Sequence, residues 1–204
     1  MTPRLVLATA NAGKAKELAI LLDGLGYAVV SHRDLGSVEL PPEGATSYRD
    51  NALEKARTAA RAAPGAVAVG DDSGLEVDAL GGRPGAASAR YGGSGLTDAE
   101  RVTRLLAEVG PVASRGARFR CLLALVAPWG EEAVVEGVVE GVLTDRPRGS
   151  RGFGYDPIFL VPALGRTFGE LPDAEKDRLS HRARAAAAAR PILVRWATRL
   201  RQAS

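Results

Sequence analysis

Hydrophobic positions in the first third of the chain alternate between strand-like runs and helix-like spacing. The apolar run at 4–9 predicts a first strand, and 11–26 places leucines at helical spacing before a glycine-rich stop. A second strand is predicted at 27–31, then a helix over 47–63 and a further strand at 66–70. Strands that alternate with helices predict an α/β fold.

The middle of the chain begins with a stretch rich in glycine and proline. We expect 81–95, "GGRPGAASARYGGSG", to be a surface loop. Thr97 followed by Glu100 has the spacing of a capping box and predicts a helix start, with the helical pattern "DAERVTRLLAEV" behind it.

Strand-forming residues flank the turn "PWGE" in the second half. The runs 117–128 and 131–143 predict an antiparallel hairpin. The segment 180–200 has helical propensity, although Pro191 should kink or break the helix. No linker-like segment divides the chain, so we expect a single domain over 1–204.

Composition excludes several classes of protein. A chain of 204 residues with 46% hydrophobic and 25% charged residues can bury a core, which excludes disordered and fibrous proteins. The formal net charge of +3 does not demand nucleic-acid binding. A single cysteine, Cys121, cannot form an intrachain disulfide and suits a reducing compartment, where we expect a buried thiol.

The first ten residues, "MTPRLVLATA", are similar to a signal peptide. Their apolar core is too short, however, and the next residues continue as predicted structure. No stretch approaches the length of a membrane span. We therefore expect a cytoplasmic protein with no membrane partner.

Two adjacent aspartates, Asp71 and Asp72, follow the apolar run 66–70 directly. Adjacent negative charges at a buried sheet edge are costly unless a positive group meets them. Ligands of open α/β sheets bind outside the carboxyl ends of strands, and Mg²⁺ is held by one or two carboxylates with water and substrate phosphates. We expect Mg²⁺ to neutralise the pair, with Ser73-Gly74 contacting the same anion. The alternative is a turn whose aspartates cap backbone N–H groups.

The turn "ATANAGK" joins the first predicted strand to the first predicted helix. Thr9, Asn11 and Lys14 lie in it, and a helix start with a lysine and a hydroxyl suits a phosphate group. The turn lacks the glycine spacing of a P-loop or a dinucleotide fingerprint. A helix cap with a solvated lysine is an equally good interpretation of this stretch alone.

The stretch "GFGYDPIF" (152–159) combines glycines and aromatic residues around Asp156. An aromatic ring beside glycine backbone can stack on a nucleobase, and a carboxylate can accept from a ring N–H. The alternative is that Phe153, Tyr155 and Phe159 are core residues, which is the interpretation we favour for Phe159.

A cluster of basic residues lies in "EKDRLSHR" (175–182). Lys176, His181 and Arg182 are close enough on a helix start to bind a phosphate and a carbonyl oxygen together. The triplet "SHR" also occurs at 31–33, but there no lysine precedes it, so we expect His32 to be a solvated surface histidine.

In this order, "TANAGK", "EGATSYRDNALEKA", "DDSGLEVDALGGRPGAASARY", "GFGYDPIF" and "EKDRLSHR" closely resemble the inosine triphosphate pyrophosphatase family. The resemblance extends from Thr9 to Arg182. It implies an elongated mixed β-sheet with flanking helices, α/β in class, in two lobes around a central substrate cleft. It also implies a homodimer that uses Mg²⁺ to hydrolyse ITP, dITP and XTP to the monophosphate and pyrophosphate, clearing damaged nucleotides from the pool.

Residue roles follow from the same resemblance. Asp72 is expected to be the general base and a metal ligand, Glu43 a second metal ligand, and Asp71 their neighbour. Phe153 is expected to stack on the base. The remaining substrate-binding residues that the resemblance implies are Thr9, Ala10, Asn11, Ala12, Gly13, Lys14, Ser73, Gly154, Tyr155, Asp156, Lys176, His181 and Arg182.

Base selection is expected at the six-position of the purine. Arg182 only donates hydrogen bonds, so it satisfies a keto oxygen but faces an amino group in adenine. This sequence departs from the family at Ala10, where glycine or serine is frequent, and at Asp50, which is shorter than the usual glutamate. Ala10 leaves the tightness of the phosphate turn open.

Two other functions remain open at this point. A nucleotide- or nucleic-acid-binding module without catalysis is suggested by the arginine excess and the aromatic stretch around Asp156. An oxidoreductase that holds a dinucleotide on the "NAGK" turn is less favoured, because the turn lacks the G-x-G-x-x-G spacing.

Overall fold

A computed structural model describes residues 2–36, 38–42, 47–111 and 114–202. Over these residues one sheet of seven strands runs in the order β2-β1-β3-β4-β5-β6-β7. The strands in chain order are β1 (Arg4–Ala8), β2 (Ala28–Ser31), β3 (Val67–Val77), β4 (Gly116–Val126), β5 (Glu132–Leu143), β6 (Phe159–Val161) and β7 (Arg166–Thr167).

Five α-helices flank this sheet in the described ranges. They are α1 (Ala12–Leu21), α2 (Tyr48–Ala62), α3 (Asp98–Val109), α4 (Asp173–Leu179) and α5 (His181–Gln202). The predicted cap is confirmed at α3, where Thr97 and Glu100 form a capping box, and at α2 Ser47 Oγ accepts from the backbone N–H of Asp50. No helix in the described residues is long and apolar enough to cross a bilayer.

The sheet is mixed, which agrees with the predicted α/β class. β1 pairs in parallel with β2 and β3, and every pair from β3 to β7 is antiparallel. The predicted hairpin is confirmed as β4 and β5. Parallel pairs need crossover helices, which α1 and α2 supply.

The third strand is longer than the sequence pattern predicted. We expected it to end at Gly70, but β3 continues through both aspartates to Val77. The reason is tertiary: β4 pairs with β3 from Ala68 to Val77, whereas β1 ends opposite Gly70. Between Gly70 and a bridge from Glu76 to Pro84, the β1 side of β3 has no strand partner among the described residues, and the site lies at this gap.

At the end of the sheet that contains β1 and the start of β3, each face of the sheet is covered by a separate hydrophobic core. On one face α1 and α5 cover Leu5, Leu7, Val67 and Val69. On the other face α2 packs against the sheet so closely that a Cβ at Gly70 would lie 2.1 Å from the carbonyl oxygen of Ala52.

A third core lies at the far end of the sheet. It collects the buried aromatic residues Phe119, Phe159 and Phe168, so the prediction of Phe159 as a core residue is confirmed. The cleft lies between this end and the first two cores, which gives the two-lobed arrangement that the family resemblance implied.

Two local predictions are corrected. The segment 81–95 is not simply a surface loop, because the 3₁₀ turn Gly85–Arg90 packs on β3 and buries Ser88, whose Oγ accepts from the backbone N–H of Leu75 at 2.8 Å. Of the two outcomes expected at Pro191, a kink or a break, the break does not occur, because α5 continues to Gln202 with Leu193 and Trp196 buried in the core.

Candidate active site

A cleft of about 640 Å³ opens where β1 ends. It is bordered by the turn before α1, by β3, by the loop that precedes β6 and by the start of α5. Thirteen of the predicted site residues line it: Thr9, Ala10, Asn11, Lys14, Asp72, Ser73, Phe153, Gly154, Tyr155, Asp156, Lys176, His181 and Arg182. Ala12 does not line it, and Gly13 lines a smaller neighbouring cavity of about 170 Å³.

The predicted phosphate turn connects β1 to α1. Asn11 is the N-cap of α1, and its Oδ1 accepts from the backbone N–H of Lys14 at 3.0 Å. Thr9 Oγ1 accepts from the backbone N–H of Asn11 at 3.3 Å. The helix-cap interpretation therefore holds for Asn11. It does not hold for Lys14, whose side chain is 13% exposed and bonded to an aspartate.

Asp71 is neutralised by two cations of the protein. Its carboxylate is fully buried, with Lys14 Nζ at 2.6 Å and Arg182 Nε at 3.0 Å. The thiol of Cys121, buried as predicted, donates to it at 3.2 Å. Burial raises the pKa of Asp71, but the charges of Lys14 and Arg182 outweigh it and hold the pKa far below its usual range.

Asp72 projects from the opposite face of the sheet. Asn51 Nδ2 donates to its Oδ2 at 2.9 Å, and Lys55 Nζ lies 3.4 Å from its Oδ1. Neighbouring side chains of a strand point to opposite faces. The expectation that one Mg²⁺ ion neutralises both aspartates is therefore wrong for Asp71, which meets Lys14 and Arg182 instead.

Asn51 and Lys55 are site residues that the sequence analysis missed. They lie four residues apart on α2 and so share the helix face that packs on β3. Lys55 Nζ also donates to the backbone carbonyl of Asp71 at 2.6 Å. The available signal was the scarcity of lysine, because Lys55 is one of few lysines in the chain.

The loop that carries Phe153 is held by its own buried residues. Asp156 Oδ2 accepts from the backbone N–H of Phe153 at 2.9 Å and from Lys176 Nζ at 2.7 Å. Tyr155 is buried, and its hydroxyl donates to the carbonyl of Ser88 at 3.0 Å. These contacts anchor both ends of the loop beside the ring of Phe153.

Glu17 on α1 is a second residue that the sequence analysis missed. It accepts from Lys176 Nζ at 2.7 Å and from Arg182 Nη1. Burial lowers the pKa of Lys176, but the carboxylates of Asp156 and Glu17 outweigh it and raise the pKa above the usual value. Glu17 lies three residues after Lys14 on the same face of α1, and that spacing was the available signal.

His181 and Arg182 are buried at the start of α5. The His181 ring stacks on Phe119 with centroids 4.7 Å apart. Burial and the charge of Arg182 lower the pKa of His181 well below its usual value, so the imidazole is neutral at pH 7. Its Nδ1 has no hydrogen-bond partner among the described residues. Arg182 Nη2 donates to Ser73 Oγ at 2.9 Å.

The second "SHR" triplet, at 31–33, is not the solvated segment that we expected. His32 is buried at 5% exposure, in a short 3₁₀ turn that Ser31 and Asp34 cap. Arg33 Nη2 donates to the carbonyl of Ala10 at 2.7 Å. This triplet therefore contacts the predicted phosphate turn from outside the cleft.

Among the carboxylates that line the described part of the cleft, Asp72 best fits a divalent cation. Lys176 Nζ lies 2.7 Å from Asp156 and Asp98 accepts from a backbone amide, whereas Lys55 Nζ lies 3.4 Å from Asp72. No cluster of three or more potential protein ligands occurs in the described residues. Mg²⁺ often uses one or two carboxylates and completes its shell with water and substrate phosphates, so Asp72 fits such an ion. Glu43, the second predicted ligand, lies outside the described residues.

Comparisons with curated proteins identify close relatives. A dITP/XTP pyrophosphatase from Methylococcus capsulatus is 49% identical over 92% of this chain and 94% of that protein. A dITP/XTP pyrophosphatase from Gloeobacter violaceus is 51% identical over 89% of both chains. The resemblance to inosine triphosphate pyrophosphatases that the motifs indicated is confirmed by these relatives.

Solved structures have the same fold. A HAM1 protein from Coxiella burnetii superposes with a TM-score of 0.82 at 37% identity, covering 95% of this chain and 99% of that one. A nucleoside-triphosphatase, dITP/XTP pyrophosphatase, from Mycobacterium abscessus superposes with a TM-score of 0.74 at 43% identity, covering 93% of this chain and 99% of that one. The Ham1 family model matches residues 5–192, and this chain therefore belongs to the Ham1 family.

Proposed function

We propose that this chain hydrolyses the deaminated purine nucleoside triphosphates ITP, dITP and XTP to the nucleoside monophosphate and pyrophosphate. The observation that carries the proposal is one cleft with two chemically different ends. One end has the carboxylate of Asp72 beside Lys55, and the other has Phe153, whose ring centroid lies 5.8 Å from the guanidinium of Arg182. The names of the curated relatives support the same substrate class.

At the phosphate end, Asp72 orients the attacking water and takes its proton. The water oxygen bonds to phosphorus, the α–β anhydride bond breaks, and its electrons leave on the pyrophosphate. Lys14 and Lys55 stabilise the negative charge that develops on the phosphate oxygens. Asn51, which donates to Asp72 Oδ2 at 2.9 Å, holds the carboxylate in one orientation.

A divalent cation fits this end of the cleft. We propose that Asp72, which is among the described residues, and Glu43, which is not, are its two protein ligands. When bound, the cation would neutralise phosphate charge and lower the pKa of a bound water. We propose that this cation is Mg²⁺.

At the base end, Phe153 stacks on the purine while Arg182, Lys176 and the neutral His181 present hydrogen-bonding groups to its edge. Arg182 is buried, and a keto oxygen at the six-position accepts from it. An amino group there leaves a buried donor unpaired, which costs about 1–3 kcal/mol. This end of the cleft therefore favours hypoxanthine and xanthine over adenine.

The remaining parts of the proposal concern the whole protein. We propose one domain over 1–204 that acts as a homodimer in the cytoplasm, with the nucleotide rather than a nucleic acid as its partner. Sedimentation at micromolar concentration tests the dimer, and a monomeric mass there contradicts it.

The decisive experiment measures pyrophosphate release from ITP, XTP, dITP, GTP and ATP with and without Mg²⁺. We expect Mg²⁺-dependent release that is faster for ITP, XTP and dITP than for ATP. Asp72→Asn should lower kcat by more than about tenfold, because the amide takes no proton and binds Mg²⁺ poorly.

The matched control is Asp145→Asn, since the Asp145 side chain is 90% exposed and is not among the residues that line the cleft. It should keep wild-type kcat. If no nucleotide of the panel yields pyrophosphate, the proposed function is contradicted. An Asp72→Asn variant that keeps more than about a tenth of wild-type kcat contradicts the assigned base.

A further inference from the structure

The first residue of α3 contacts the loop at the base end of the cleft. Asp98 Oδ2 accepts from the backbone N–H of Gly154 at 2.7 Å. The two residues are 56 positions apart in the sequence, and both line the cleft. The sequence pattern indicated only that Asp98 lies at a helix start.

Gly154 is the part of this loop that other contacts leave unsupported. On its N-terminal side, Asp156 holds the backbone of Phe153, and on its C-terminal side Tyr155 is fixed to Ser88. Gly154 itself has a left-handed φ of +62°, and no described residue other than its two chain neighbours has a heavy atom within 4 Å of where a Cβ would be. Glycine in this conformation is mobile unless its backbone is bonded.

The contact is not part of the helix cap. Thr97 and Glu100 form the capping box of α3, with Thr97 accepting from the backbone N–H of Glu100 and Glu100 accepting from that of Thr97. Arg101, one turn further, donates to the carbonyl of Ala89. The carboxylate of Asp98 is thus available for the loop, and the two roles can be separated by mutation.

We propose that Asp98 is a positioning residue that holds the Phe153–Tyr155 loop in the conformation that receives the base. It acts through the backbone of Gly154 and touches neither the phosphates nor the metal. The proposal rests on the proposed function in assigning base stacking to Phe153. Loss of Asp98 therefore weakens substrate binding and leaves the chemical step intact.

The test compares Asp98→Ala, Asp98→Asn and Glu100→Ala. Hydrogen exchange at the Gly154 amide is measured without nucleotide, and KM and kcat are measured with ITP. In Asp98→Ala we expect Gly154 exchange to rise about tenfold and KM to rise by a similar factor, as for loss of one hydrogen bond to a charged group, with kcat within about twofold. Asp98→Asn keeps an acceptor oxygen and should restore both quantities most of the way.

Glu100→Ala is the matched control, because it damages the capping box at the same helix start. It should lower Tm and leave Gly154 exchange and KM at wild-type values. Unchanged exchange in Asp98→Ala overturns the proposal, and so does an equal effect of Glu100→Ala or a loss of kcat at unchanged KM. If the wild-type protein releases no pyrophosphate, the proposed function fails, while the exchange data still decide whether Asp98 holds the loop.

Discussion

Replacing Asp71 by Asn should lower the free energy of unfolding of the protein substantially, although Asp71 is not the proposed catalytic base. The Asp71 carboxylate is fully buried and compensates Lys14 at 2.6 Å and Arg182 at 3.0 Å. The amide of Asn has nearly the same shape but no charge. Lys14 and Arg182 then remain buried but lose the carboxylate that neutralises most of their charge.

The magnitude follows from the burial of the two cations. Removing one partner of a buried ion pair costs about 3–5 kcal/mol. The Lys14 side chain is 13% exposed and can turn towards water, whereas that of Arg182 is 1% exposed and cannot. Glu17 still compensates Arg182, so we expect a loss near the lower limit, about 3 kcal/mol. For a chain of this length that is a fall in Tm of about 6–12 °C.

The assay is urea unfolding of wild type and Asp71→Asn between about pH 3 and pH 7, an interval that includes the ordinary pKa of an aspartate. The folded-state pKa of Asp71 lies below its unfolded value, so its contribution is complete above the unfolded pKa and is lost as pH falls towards the folded pKa. The stability difference between the two proteins should therefore be constant from about pH 5 to 7 and shrink below about pH 4.

Asp145→Asn, at an exposed position, is the control and should change stability by less than about 0.5 kcal/mol. A loss below about 1 kcal/mol in Asp71→Asn at pH 7 refutes the reasoning, since the cations would then not depend on this carboxylate. So does a stability difference that stays constant down to pH 3, roughly one pH unit below the ordinary aspartate pKa.

Two further predictions concern Arg33, outside the cleft, and Arg182, inside it. Arg33→Ala should raise KM for ITP and ATP by the same factor, about 2–10-fold, because the lost hydrogen bond supports the predicted phosphate turn at Ala10, and both substrates have the same phosphates; a change confined to ITP contradicts this. Arg182→Lys should reduce the ratio of kcat/KM for ITP to that for ATP, by a factor that corresponds to about 1–3 kcal/mol of transition-state free energy, because lysine keeps the buried charge but lacks the planar N–H donors of the guanidinium. Equal slowing of both substrates would mean that Arg182 contacts the phosphates instead.

Local sequence patterns determined much of the secondary structure. The strand–helix–strand start, the capped helix after Thr97 and the β4–β5 hairpin follow from periodicity and capping residues within windows of a few turns. Hydrophobic periodicity is a local property of the sequence, and each of these helices and strands buries the apolar face that the periodicity predicts. The ordered motifs also indicated thirteen of the residues that line the cleft.

The tertiary structure decided which charges meet. Whether β3 ends at Gly70 or continues to Val77 depends on its pairing with β4, and that continuation sends Asp71 and Asp72 to opposite faces. Arg182 reaches Asp71 across 111 residues, so no local pattern could pair them.

The burial of His32 and the bond between Asp98 and Gly154 have the same origin. We expected His32 to be solvated because no lysine precedes it, but the parallel pairing of β1 with β2 brings its 3₁₀ turn against the end of β1. Asp98 and Gly154 meet because α3 and the loop before β6 border the same cleft. Sheet order sets such distances, and sheet order arises from packing of the whole chain rather than from the pattern of any one segment.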